Sequence, residues 1–554
     1  MLQDSGTRNS GASPQALKGR QAGSKLFVRQ ATGLVREASA LDATYYNIIW
    51  SSVPLASVFL FLYLPAFYTG SNMYLAVFAN ALLCLPTAFL YAMLATAMPR
   101  SGGDYVWVSR SVHPIAGFMS NWNFVIWMLY FIGVYSALLG RYGVSVLLRV
   151  AAAFSGNLAL AQAADFFAQP LGVIILGCIL VIVAGAVFTL GGLRTFLRIQ
   201  KWAFVFYILG AVLVVALVVF FAGHSGFVNN FNSYIGKFSG SKDSYGLVNK
   251  LAAQAGYTPP AFNLGESLLA MTIAYYVFGN IFQSAYFGGE IKGGRRAHLL
   301  SMPGSLLIAV LLMFLLIAAF QTTIGTPFLG ALGTIDPTKL GLGFTPLYTE
   351  LAAIASNNIV IGLFIAFGFA VSLIIWVPQT ILIISRCLFA WSFDRLIPEK
   401  VAEVSERTHS PTIAVSIIVL LSIVSVFLIA LIPSLTALVG LLGLTFTLLS
   451  VAVAGILFPF RQRDTFEGAP FNGRVAGIPI VSVVGVLSLL GLLAIAWVLL
   501  ADVNSGTSLA MNLNMVFIAI GIYLSGFIVY LISRYVQRAR GVNITLAYQE
   551  IPPE

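Results

Sequence analysis

Residues 274–296 read AYYVFGNIFQSAYFGGEIKGGRR, and their reading decides the fold. The stretch is apolar enough to sit in lipid, yet Gly279-Asn280 falls in its middle and Gly288-Gly289 near its end. Both pairs are poor helix formers. A charged tail follows at once, with Glu290, Lys292, Arg295 and Arg296. A helix opened at mid-membrane leaves N–H and C=O groups that lipid cannot satisfy but a bound molecule can. The alternative is close helix packing, for which membrane helices also use Gly.

The surrounding sequence supplies the membrane. The 554-residue chain is 59% hydrophobic and 9% charged, against roughly 25% charged in soluble domains. Windows of about 20 apolar residues, enough for one crossing, occur twelve times: 42–64, 73–98, 114–148, 171–191, 199–222, 266–289, 303–325, 358–388, 411–432, 434–458, 478–501 and 512–534. An all-α polytopic membrane protein with twelve transmembrane helices is expected, with both termini on one side.

Basic residues choose that side. With the termini cytoplasmic, 24 of the 30 Lys and Arg fall in inner segments, and only Arg141, Arg149, Lys237, Lys242, Lys250 and Lys339 lie on or near the outside. The net charge of +11 then belongs to the inner leaflet. It does not point to nucleic acid, because no basic stretch interleaves with exposed aromatics. Cys84, Cys178 and Cys387 all lie inside expected spans, so a disulfide framework is not expected. Residues 1–37 read as a disordered cytoplasmic tail, and residues 537–554 as a cytoplasmic C-terminal tail. The longer outer segments 223–265 and 326–357 read mainly as surface loops.

The interruption at Gly279-Asn280 has a counterpart in the first span, where Ser51-Ser52-Val53-Pro54 falls in the middle. Pro54 has no N–H and its ring crowds the Trp50 carbonyl, so the helix must kink or open. Five spans separate the two breaks, and an odd number turns the second unit upside down. That is the pattern of a five-helix inverted repeat with discontinuous helices 1 and 6 and a site between them at mid-membrane. The repeats would cover 38–222 and 266–458, with helices 11 and 12 in 459–536.

Three stretches then carry a resemblance. Met98-Pro99-Arg100-Ser101-Gly102-Gly103-Asp104-Tyr105, Glu290-Ile291-Lys292-Gly293-Gly294-Arg295-Arg296 and Ser385-Arg386-Cys387-Leu388-Phe389-Ala390, running on through Asp394 to Pro398, follow spans 2, 6 and 8. Together they resemble loop motifs of the amino acid–polyamine–organocation (APC) superfamily of secondary transporters, over about residues 33–536. The resemblance implies alternating access around a central site, with an amino acid or related amine as cargo. It puts Ser51, Ser52, Val53 and Pro54 opposite Tyr276, Val277, Phe278, Gly279 and Asn280 around that cargo. Val53-Pro54-Leu55 stands where the family has Gly-x-Gly, and Pro54 removes one amide that commonly meets a substrate carboxylate. Tyr275 or Tyr276 sits where the family often places an aromatic gate, although both could simply fill space.

Asn123, Trp127 and Phe131 share one face of span 3, and family position singles out Trp127 as a substrate contact. On span 8, Ser372, Trp376 and Thr380 share a face, and Pro378 frees the Ile374 carbonyl. Trp376 is the substrate candidate there, while Ser372 with Ile374 could hold sodium. The family's adjacent hydroxyl pair is missing, and Tyr207 occupies the place of the Lys found in some relatives, so coupling to H+ or Na+ stays open. His113, His224, His298 and His409 are widely separated, and no metal, nucleophile or phosphate motif appears. No enzyme and no cofactor are expected. A channel filter would need symmetric repetition. A non-transporting amino acid sensor with the same fold is the remaining rival.

Overall fold

The computed structural model describes residues 34–544 apart from 343, 433–434 and 436–438, together with residue 548. Ten of the described helical runs are long and apolar enough to cross a membrane. One of these, Pro170–Ser239, is 70 residues long and changes direction twice, at Gly192 (φ 70°) and Gly223 (φ 64°). A left-handed φ is open to Gly at no steric cost, so the glycines mark the corners. The short apolar segment Leu264–Phe278 falls below the length of a full crossing. The chain is a predominantly helical, multi-pass membrane protein. Its one small sheet among the described residues pairs Arg474–Val475 with Ile478–Pro479.

Met73–Ala97 packs on Gly294–Thr323, and Pro114–Leu138 on both Thr412–Leu431 and Val439–Arg461. Ile359–Phe393 packs against Gly192–Ile208 in turn. Large apolar side chains such as Phe221, Leu300, Trp497 and Phe517 face outward, as a bilayer-facing surface requires.

Two expected loops are instead largely helical. Beyond Gly223 the chain continues as helix to Ser239, and Ser244–Gln254 follows. Phe227, Phe231 and Ile235 recur every fourth residue and are fully buried, so a helical stripe was present in a segment whose Gly, Ser and Asn read as loop. The segment 326–357 likewise holds Thr326–Thr334 and Tyr348–Ser356. Of the expected disordered tail, 1–33 lies outside the described residues, while Glu37 N–H donates to the Glu290 carbonyl at 3.0 Å. The far tail is also held at one point, since the Tyr548 hydroxyl lies 3.2 Å from that of Tyr105.

Candidate functional site

The first span breaks at two residues. Helix Ala40–Trp50 starts on a capping box in which the Ser39 side chain and Asp42 bond each other's backbone. It ends at Ser51, and Ser52 adopts a left-handed φ of 48° before helix Val53–Phe67 begins. Pro54 falls in the first turn of the new helix, where a missing N–H costs nothing. Proline thus fixes where the second half starts, while Ser52 absorbs the turn.

The second break is longer. Helix Met271–Phe278 stops at Gly279, and Gln283–Tyr286 and Gly288–Glu290 are short 3-10 turns of four and three residues before the next long helix starts at Gly294. Residues 281–291 are nevertheless all buried. Gly279 has an ordinary φ of −67°, so its need for glycine is spatial. A Cβ there would stand 2.8 Å from the Tyr275 ring. Asn280 is only partly buried and its Oδ1 accepts from Gln283 at 3.1 Å.

The two breaks meet. Asn47 donates to the Ser284 hydroxyl and accepts from the Ser284 N–H, both at 3.0 Å. Tyr46 meets the Phe287 ring edge-on at 4.8 Å, and Phe59 lies 6.2 Å from Tyr276. Tyr207 closes the first break: its hydroxyl accepts from Val53 N–H at 3.0 Å and donates to the Ile48 carbonyl at 3.2 Å. Ser52 bonds the Tyr135 hydroxyl at 2.7 Å. Tyr135 in turn stacks on Trp376 with centroids 3.8 Å apart, and Trp376 also touches Trp50 at 4.4 Å. Buried backbone polar groups, hydroxyls and aromatic faces therefore converge between two interrupted helices. No residue in 46–56 or 275–284 is charged.

The sequence pattern of the amino acid permease family matches residues 45–528. The chain belongs to this family. The family lies within the APC superfamily, so its members are membrane transporters rather than enzymes by family. A comparison with curated proteins finds no match.

Within this permease, Ser51, Ser52, Val53, Pro54, Tyr276, Val277, Phe278, Gly279 and Trp376 come together at the breaks, and all are buried. Trp127 sits elsewhere. Its indole N–H donates to Asn123 at 3.1 Å, and its ring packs where Gly443 and Gly440 of the helix Val439–Arg461 leave room. Tyr275 also turns away, bonding Thr445 at 2.9 Å, which leaves Tyr276 as the tyrosine facing the first span. Ser372 donates to the Phe369 carbonyl of its own helix at 2.6 Å, while the Ile374 side chain is 39% exposed on the outer face. Among the described residues no side-chain hydrogen bond joins Ser372 to the first break.

Sequence reasoning missed Asn47, Tyr135 and Trp50. Tyr135 extends the 123–127–131 stripe by one more turn, so the signal was available. Asn47 was a lone amide in an apolar run, and such a residue in lipid needs a partner.

The loop motifs gather at one end of the bundle. Arg386 grips Glu290 through Nε at 2.7 Å and Nη2 at 2.8 Å. Arg110 and Tyr105 converge on Asp394 at 2.7 and 2.8 Å. Asp104, wholly buried, accepts from Asn121 at 2.7 Å and Ser120 at 2.8 Å. Burial pushes its carboxyl up to about 6, against the pull of those hydrogen bonds.

Proposed function

We propose that this permease moves an amino acid or related amine across the plasma membrane by alternating access, with cargo held between the breaks at Ser51–Ser52 and Phe278–Asn280. The observation that carries the reading is that both interruptions are buried and face each other, bringing backbone polar groups, hydroxyls and aromatic faces together where lipid could not satisfy them. Twelve crossings follow if Pro170–Ser239 counts as two and the segment after Leu264 as one. Helix pairing supports the inverted repeat over 38–222 and 266–458, with 459–536 added. The third and tenth spans pack together, as their repeat equivalents, the eighth and fifth, also do. Basic residues favour cytoplasmic termini.

Coupling to protons or exchange is favoured over sodium, since the family's adjacent hydroxyl pair is missing from the eighth span. The direct test is flux in proteoliposomes over a panel of amino acids and amines. Tracer exchange above protein-free vesicles is expected for at least one; exchange with none of them would refute transport. Tags at residues 20 and 545 should both report the cytoplasm, and an external signal from either would overturn the topology. Uptake that demands an inward sodium gradient and ignores pH would overturn the coupling assignment.

A further inference from the structure

The two breaks offer opposite hydrogen-bonding faces. A helix start leaves its first four N–H groups without intrahelical partners, and such a start ordinarily collects anions. In the half-helix Val53–Phe67 almost none of that capacity remains. Val53 N–H is taken by the Tyr207 hydroxyl at 3.0 Å. Pro54 has no N–H, and Ala56 N–H reaches the Ser52 carbonyl at 2.9 Å. Only Leu55 is left among the first four. The helix ending at Phe278 is the reverse. Gly279 N–H returns to the Tyr275 carbonyl at 2.9 Å. Among the described residues no hydrogen bond reaches the carbonyls of Tyr276, Val277 or Phe278.

A carboxylate in such a place would lose its water and find neither a fan of amides nor a basic side chain, which is expensive. An ammonium would find carbonyls carrying the negative end of a helix and the aromatic faces of Tyr276 and its neighbours. Tyr207 is the piece that tips this balance. It is fully buried, and its hydroxyl spans both sides of the break, from Ile48 to Val53.

Building on the central-site reading, we propose that the Tyr207 hydroxyl is a resident ligand of the first break, holding the amide a cargo carboxylate would otherwise take and so biasing the site towards cationic amines.

Tyr207→Phe tests this, since the ring and its packing stay. The probes are the proteinogenic L-amino acids, each paired with the amine left when its carboxyl is removed. In the native protein the amine of a transported pair should compete better. In the variant the amine-to-acid preference should fall by roughly tenfold, the worth of one hydrogen bond to a charged group. An unchanged ratio with transport retained overturns the proposal, as does a native preference for the carboxylate member. A ligand-free arm keeps this separate from the transport reading: amide hydrogen exchange over 51–56 should be slow in the native protein and faster in the variant. Fast exchange of the native Val53 amide, which needs no variant, or equal exchange in both proteins, overturns the resident ligand even if no cargo is ever found.

Discussion

The two ends of the bundle are built on different terms. At the end that carries the loop motifs, Arg386 and Glu290 form a two-point ion pair with both side chains at most 2% exposed. Backbone bridges join Ala38 to Ile291 and Ser101 to Phe287. Gly102 and Gly103 have φ of 99° and 50°, and a Cβ on Gly103 would stand 2.8 Å from the Tyr286 ring. The opposite end holds a cavity of about 360 Å³ among Tyr63, Phe67, Tyr142, Arg149 and Phe344. There Arg149 lies 3.7 Å over the Phe344 ring, and its acidic partner Asp165 is 66% exposed. One end is closed by buried pairs, while the other holds the cavity. The difference teaches that the most recognisable residues of this sequence form a lock, while the cavity lies at the far end, lined in part by Leu62, Tyr63 and Phe67 of the helix after the first break.

The largest expected effect strikes the lock. Arg386→Ala leaves the Glu290 carboxylate buried and unpaired, which destabilises by about 3–5 kcal/mol. A clear fall in melting temperature and in transport rate is expected, with the order of preference among cargoes unchanged. Replacing both partners, Arg386→Met with Glu290→Leu, should recover much of the stability but not the rate. A changed preference at an undiminished rate would erase the distinction between lock and site.

A smaller effect separates the ends by pH. Glu350 starts the helix Tyr348–Ser356 at the open end, where its carboxyl accepts Leu347 N–H at 2.7 Å. Burial pushes it up to about 7, against the lowering influence of Leu347 N–H and Arg149. At the locked end Asp104 is pushed up to about 6. In both cases the folded state holds the proton more tightly than the unfolded one. Their contribution is therefore complete below the unfolded carboxyl range and is lost as pH rises towards 6 for Asp104 and 7 for Glu350. At about 1.4 kcal/mol per unit, each loss is about 3 kcal/mol. Glu350→Gln should flatten the fall in melting temperature between pH 6 and 7 that Asp104→Asn leaves untouched. Identical pH curves for the two variants would mean that the ends do not differ in this way.

The motifs of the locked end could be recognised in sequence, because each is short and local, but their pairing could not, since Arg386 and Glu290 lie 96 residues apart. Both breaks were legible too, since Pro54 and Gly279 disturb a helix locally. What closes the first break was not. Tyr207 lies more than 150 residues from Val53, and nothing in a single sequence pairs a tyrosine with a distant amide. Trp127 shows the opposite failure. Its stripe with Asn123 and Phe131 was real, but a stripe says that a face is buried without saying against what. Here the partner is the glycine face of Val439–Arg461.

Gly279→Leu comes next in size and probes the second break. The added side chain must displace the Tyr275 ring, 2.8 Å from the new Cβ, and with it the bond to Thr445. Overpacking of this kind costs about 1–3 kcal/mol. Cargo binding should fall much further than stability, because leucine restores helix propensity at the break and stiffens it. Lost stability with affinity retained in the surviving fraction would make Gly279 a packing notch.

The smallest effect is expected at Ser52, and it measures how the first break is held. The residue has a left-handed backbone with φ 48°, a conformation that costs a non-glycine residue about 1–2 kcal/mol. Its hydroxyl answers that with a 2.7 Å bond to Tyr135, worth about 1 kcal/mol. Ser52→Ala keeps the strain and loses the bond. Ser52→Gly loses the bond and the strain together, so it should be more stable than the alanine variant by about 1 kcal/mol. If strain and bond nearly balance, the glycine variant should melt close to the native protein. The matching change Tyr135→Phe should then destabilise the native chain but add little to either Ser52 variant, because the bond is already gone. Equal melting of the alanine and glycine variants would mean that the break does not pass through a left-handed Ser52, and the short, capped first break would lose its contrast with the long, turn-built second one.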